Sequence, residues 1–160
     1  MYKKLFVPVD GSELSHRAMD GSIELAKQLG ASINGFVVEP DLPLSVVSPD
    51  AHTSTERIKR HEAQNEAHAK ALLDQFAQRA AAAGVPFVAS HVTAYSVDSA
   101  IMEEAEKAGC DMIVMVTHGR GAFGELLFGS HTKNVLARCL VRSMNWSGKT
   151  MSNGASSSRK

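Results

Sequence analysis

Acidic residues are missing from one end of this 160-residue chain. After Glu125 there is no Asp or Glu, while Lys133, Arg138, Arg142, Lys149, Arg159 and Lys160 remain. Residues 1–125 therefore carry 11 basic and 17 acidic groups, and the whole chain is neutral. A neutral total removes the general argument for nucleic acid or an anionic membrane as partner. Six scattered cations near one aromatic, Trp146, do not make a nucleic-acid surface either, and the basic end reads as a solvated one. Cysteine is also scarce. Cys110 and Cys139 form no metal spacing and no redox pair, which fits reduced thiols and a cytoplasmic location. Long apolar runs are absent: none approaches the ~18 residues of a membrane helix. The opening "MYKKLFVPVDGS" places an acid directly after a short apolar run, unlike a secretory leader.

What is present is a chain of one-domain length with 44% apolar residues, enough for a core. "LFVPV" (5–9) reads as a buried strand, and Ser12 can cap the helix that follows. Leu14, Ala18, Ser22, Leu25 and Leu29 recur at helical spacing, and Gly30 stops them. "SINGFVV" (32–38) is a second strand. A proline-containing loop over 40–53 leads to a long helix, entered by the capping-box pair Thr53 and Glu56 and ending near Ala83. "VPFVASHV" (85–92) is a third strand, which Pro86 assigns to a sheet edge or marks at its start. A helix from Ser96 to Ala108 and a fourth strand, "MIVMV" (112–116), complete a strand–helix alternation. Such alternation predicts an α/β, Rossmann-like, doubly wound parallel sheet with right-handed crossovers. Ligands in these sheets sit beyond the carboxyl ends of the strands, where strand order reverses.

The stretch that calls for chemistry is "MVTHGRGAFGELLFGS" (115–130), glycine-rich between a strand and a helix over 130–141. Its "GRGAFG" matches the dinucleotide pattern, but it follows the fourth strand and no acid lies downstream for a ribose. "SGKT" (147–150) has no preceding strand and Ser143 where a P-loop needs glycine. His61 and His68, near Glu62 and Glu66, miss the H-E-x-x-H spacing and read as a solvated helix face. The stronger signal is Gly119, then nine intervening residues, then Gly129-Ser130 at a helix start. Free N–H groups and the helix dipole favour a phosphate there, with the Ser130 and Thr132 hydroxyls as donors. Asp10, at the end of the first strand, is a candidate for setting ligand polarity.

Over residues 2–138 the chain resembles the universal stress protein family. The resemblance rests on "KLFVPVDGS", "FVVE", "AEKAGCDMIVM" and "THGRGAFGELLFGSHTKNVLA". It implies a parallel sheet in the order 3-2-1-4-5 and a role in stress response through ATP or AMP, with Mg2+ accompanying ATP. It implies no dedicated catalytic or metal residues, with slow ATP hydrolysis left open, and a homodimer. By position, Pro8, Val9 and Asp10 would line the adenosine side and the Val37 backbone would meet the adenine. Met115, Gly119 and Arg120 would border ribose and phosphates, and Gly129, Ser130, His131 and Thr132 would hold the phosphates.

The chain departs from the family in two places. Val116 stands where the family's first motif glycine would be. The apolar fifth strand shrinks to Cys139-Leu140-Val141, interrupted by Arg142-Ser143. The domain is accordingly expected over residues 1–142, with an unfolded tail over 143–160, an uncovered fourth strand and a weakened dimer. The alternative to nucleotide binding is a nucleotide-independent interaction or signalling protein of the same fold, its site closed by Val116.

Overall fold

The computed structural model describes residues 2–41, 51–116 and 142–146. Five strands form one sheet in the order β3-β2-β1-β4-β5, and every pairing is parallel. The elements are β1 (Lys4–Pro8), α1 (Glu13–Leu29), β2 (Ser32–Pro40), α2 (Ala51–Ala82), β3 (Phe87–Ala94), α3 (Val97–Lys107), β4 (Met112–Val116) and β5 (Arg142–Trp146).

The two faces of the sheet are set by the two-residue period of the strands. Leu5, Val7 and Val9 point to one face and pack with Met19 and Ile23 of α1 and with Leu72 and Phe76 of α2. Phe6 and Phe36 point to the other face and join Ile101 and Ala105 of α3. The chain therefore steps from β1 to β2 to β3 under α1 and α2. It returns to β4 under α3, on the opposite side, as right-handed crossovers require. Pro86 immediately precedes β3, and β3 is the edge strand next to β2. Both placements suit a residue that cannot donate to a ladder.

Two boundaries differ from the sequence reading. α2 begins at Ala51, so Thr53 lies inside the helix and not at its cap. The fifth strand is Arg142–Trp146, directly after the apolar trio Cys139–Val141 that the sequence suggests. It pairs with all of β4, from Met112↔Arg142 to Val116↔Trp146, so β4 is an interior strand with a neighbour on each side. The physical reason is that a parallel ladder is made by backbone groups, so a polar segment can supply it once β4 offers a free edge. The expected helix over 130–141 and the tail beyond Trp146 lie outside the described residues.

Candidate functional site

The order of the sheet reverses between β1 and β4, and the crevice expected of such sheets lies past their carboxyl ends. The β1–β4 pairing is short toward that end. In a parallel strand, successive residues turn their hydrogen-bonding groups to alternate neighbours. The Val9 N–H donates to the Phe36 carbonyl at 2.8 Å, on the β2 side. The Lys4 carbonyl accepts from the Asp111 N–H at 3.1 Å, on the β4 side. By this alternation Phe6 and Pro8 also face β4. Pro8 has no N–H, so the β1–β4 ladder lacks a donor there. The register between these strands consists of Leu5↔Met112 and Phe6↔Ile113, whereas β1 and β2 stay paired through Pro8↔Phe36.

Asp10 stands at the exit of β1, half-buried, in a closed set of hydrogen bonds. Its N–H donates to Ser15 Oγ at 2.8 Å. Ser15 Oγ–H donates in turn to Asp10 Oδ1, and the Ser12 N–H reaches the same oxygen at 3.1 Å. Ser12 caps α1 by accepting from the Ser15 N–H at 3.2 Å. Ser15 is buried and Ser12 is exposed, so the set is shielded from water on its inner side alone. The result is a carboxylate of fixed orientation: Oδ1 is committed to the turn, and among the described residues Oδ2 has no hydrogen bond. Between Asp10 and Ser12, Gly11 adopts φ +80°, a left-handed conformation that favours glycine.

Of the residues singled out from sequence, Pro8, Val9, Asp10, Val37 and Met115 are described, and the structure brings them to one end of the sheet. Their side chains do not all meet. Val9 and Val37 are buried on the α1/α2 face, whereas Met115 is buried on the α3 face beside Phe6 and Phe36. Gly119, Arg120, Gly129, Ser130, His131 and Thr132 lie outside the described residues. Val116 is the last residue of β4, in register with Trp146, so its backbone is extended.

The sequence reading missed one pair. His68 is on the solvated face that the sequence suggests, and its Nδ1 also lies 2.6 Å from Oε1 of Glu39, a carboxylate on β2 that is only 7% exposed. The local signal was the acid at the end of "FVVE". Its partner is on another element, and no local pattern identifies it. Among the described residues, no group of three or more His, Cys, Asp or Glu could hold a metal ion, and no helix is long and apolar enough to cross a membrane.

A parallel, doubly wound sheet with an oriented carboxylate at its switch point places the chain among the Rossmann-like α/β domains. Comparison with known proteins narrows it. The family model described as "Universal stress protein family" matches residues 1–141, and the chain belongs to that family. It is 32% identical over 146 residues to universal stress protein MJ0531 of Methanocaldococcus jannaschii, covering 88% of this chain and 81% of that one. It is 27% identical over 148 residues to universal stress protein YxiE of Bacillus subtilis, covering 88% and 97%. Among solved structures, universal stress protein UspA from Lactobacillus plantarum superposes with a TM-score of 0.73 at 20% identity, covering 90% and 97%. A universal stress protein in complex with cAMP gives a TM-score of 0.66 at 22% identity, covering 91% and 97%. A family protein from Arabidopsis thaliana with AMP bound gives 0.58 at 17% identity, covering 89% and 90%.

Proposed function

We propose that this protein is an adenine-nucleotide-binding member of the family, acting in the cytoplasm in stress response as a binding module and not as a dedicated enzyme. The observation that carries the reading is Asp10. Its carboxylate is held by Ser12 and Ser15 at the mouth of the β1–β4 crevice, with Oδ2 uncommitted among the described residues. An amino group such as that of adenine is a donor suited to such an oxygen. Pro8 and Val9 would line the adenosine side, and the Val37 backbone would meet the adenine, as the resemblance implies. Gly119 and Arg120 would follow the ribose and phosphates, and Gly129, Ser130, His131 and Thr132 would hold the phosphates, as the glycine-rich sequence implies. Solved relatives carrying cAMP and AMP support the ligand class. ATP would bring Mg2+ with its phosphates. A homodimer through the fifth strand belongs to the same reading.

Calorimetric titration with adenosine and ATP tests the assignment. Asp10→Asn should weaken both ligands. Ser130→Ala with Thr132→Ala should weaken ATP more than adenosine, since bonds to a charged group contribute about 1.5–3 kcal/mol each. Equal losses for both ligands in the double variant would remove the phosphate assignment. No binding of either ligand by the unsubstituted chain would favour the nucleotide-independent interaction protein, with Val116 closing the site.

A further inference from the structure

We propose that His68 is a positioning residue of the nucleotide site: paired with Glu39, it clamps the turn that carries Asp10. The inference rests on the nucleotide reading and assigns that site a residue from α2, an element outside both the β1 turn and the glycine-rich loop.

One imidazole ring joins three elements at the carboxyl end of the sheet. On α2, His68 is anchored by Ala69 and Leu72, which are buried in the core beneath it. Its Nδ1–H donates to Glu39 Oε1 at 2.6 Å, two residues beyond Val37 on β2. Its Nε2 lies 3.2 Å from the point where a Cβ on Gly11 would sit, so the ring rests on the β1–α1 turn next to Asp10. Gly11 suits this approach, since a Cβ there would sit tightly against the ring.

The arrangement has the marks of a support and not of a surface pair. The Glu39 side chain is 10% exposed and that of His68 54% exposed, so the acid is held inside while one side of the ring faces solvent. A buried carboxylate needs a partner. Using the histidine for that purpose fixes the ring's orientation, as a carboxylate does for a metal-bound histidine. The oriented ring then limits where Gly11 can move, and Gly11 is joined on one side to Asp10 and on the other to the α1 cap Ser12. Ser15 sets the direction of the Asp10 carboxylate from α1, and His68 bears on the same turn from α2.

The test combines adenosine titration with amide NMR spectra of the ligand-free full-length chain, its His68→Ala and His68→Gln variants, and the His68→Ala/Glu39→Gln double variant. His68→Ala should shift the Gly11 and Ser12 amide resonances and weaken adenosine about tenfold. His68→Gln retains a side-chain donor for Glu39 and should recover most of the affinity. The double variant removes the stranded charge but not the missing clamp, so its affinity should stay low. Full recovery in the double variant would overturn the proposal, because charge relief alone would then explain the loss. Unmoved Gly11 and Ser12 resonances in His68→Ala would also overturn it, whatever the ligand does. If the unsubstituted chain binds no adenosine, the nucleotide reading fails separately, and the resonances still decide whether His68 holds the turn.

Discussion

Phe76 of α2 and Phe87 of β3 meet with ring centroids 4.9 Å apart and planes tilted by 57°, directly over Gly35 of β2. A Cβ at Gly35 would lie 2.5 Å from Phe87 Cζ and 2.9 Å from Phe76 Cδ1. The missing side chain in the middle of a strand is therefore the space that the two rings fill. Tilted aromatic pairs at this separation contribute beyond their buried area.

Gly35→Ala should then destabilise the protein, by about 1–3 kcal/mol for a well-packed core that must take in an extra methyl group. Thermal unfolding followed by circular dichroism measures it. An unchanged melting temperature would mean that the rings can separate freely, contrary to the tight contact seen here. Any nucleotide affinity measured well below the transition should change little, since the rings, on α2 and β3, lie against β2 and not between β1 and β4.

β5 leads to a second expectation. The chain ending at Val141 lacks Arg142–Trp146 and leaves the outer edge of β4 without its ladder. Unpaired strand edges recruit other strands. The truncated chain should melt lower than the full chain and should associate as concentration rises, which light scattering detects. A truncated chain that keeps its melting temperature and stays monodisperse would show that β5 contributes nothing to the sheet.

Much of this fold can be read from local pattern. Leu5, Val7 and Val9 alternate with Phe6 because both faces of β1 are covered, and that apolar run is visible in sequence. Pro86 marks the edge strand for a reason that is entirely local. The features that escaped are those made by distant partners. "RSMNW" is too short and polar to stand out as a strand, although Met144 and Trp146 alternate with Ser143 and Asn145, and its place in the sheet comes from pairing with β4. Gly35 in sequence is only a weak point in a strand, and its purpose is set by Phe76 and Phe87. His68 resembles its exposed neighbours until Glu39, 29 positions earlier, is brought beneath it. At the site the division is the same: Asp10 was legible from its position after a strand, and its hydrogen bonds to Ser15 were not.

Cys110 offers a test by pH. Burial pushes its thiol up from 9.0 to about 11, against the smaller opposing influence of Lys4. The folded protein thus holds the proton more tightly than the unfolded chain. The stability this provides is fully present below pH 9 and is lost as pH rises through about 11. Unfolding in denaturant at pH 8, 9, 10 and 11 should show stability falling over that window, and Cys110→Ala should flatten this part of the slope. Identical pH slopes for the two proteins would place the cause elsewhere, for example in the lysines. At neutral pH the native thiol should react slowly with iodoacetamide, because the thiolate is the nucleophile.

Val116 is the last residue of β4, directly before the glycine-rich stretch in sequence. The resemblance places a glycine at this position, and glycine is used where a backbone approaches a ligand or needs positive φ. The second requirement does not apply here: Val116 is extended, in register with Trp146 as the last pair of β4 and β5. Valine suits that geometry, whereas glycine in a strand costs roughly 0.5–1 kcal/mol through its greater freedom in the unfolded chain. Val116→Gly should therefore lower the melting temperature. Its effect on ligand is the separate question of room, since the substitution removes two methyl groups at the end of the strand that borders the crevice. If those methyl groups crowd the ribose, ATP should bind more tightly in the glycine variant, by up to about tenfold. The expected outcome is thus opposite in sign for the two quantities: less stability and more affinity. Calorimetric titration with ATP beside melting curves of both proteins resolves it. Lower stability with unchanged affinity would mean that β4 simply runs one residue further in this protein, and that the loop takes nucleotide from a valine as readily as from a glycine.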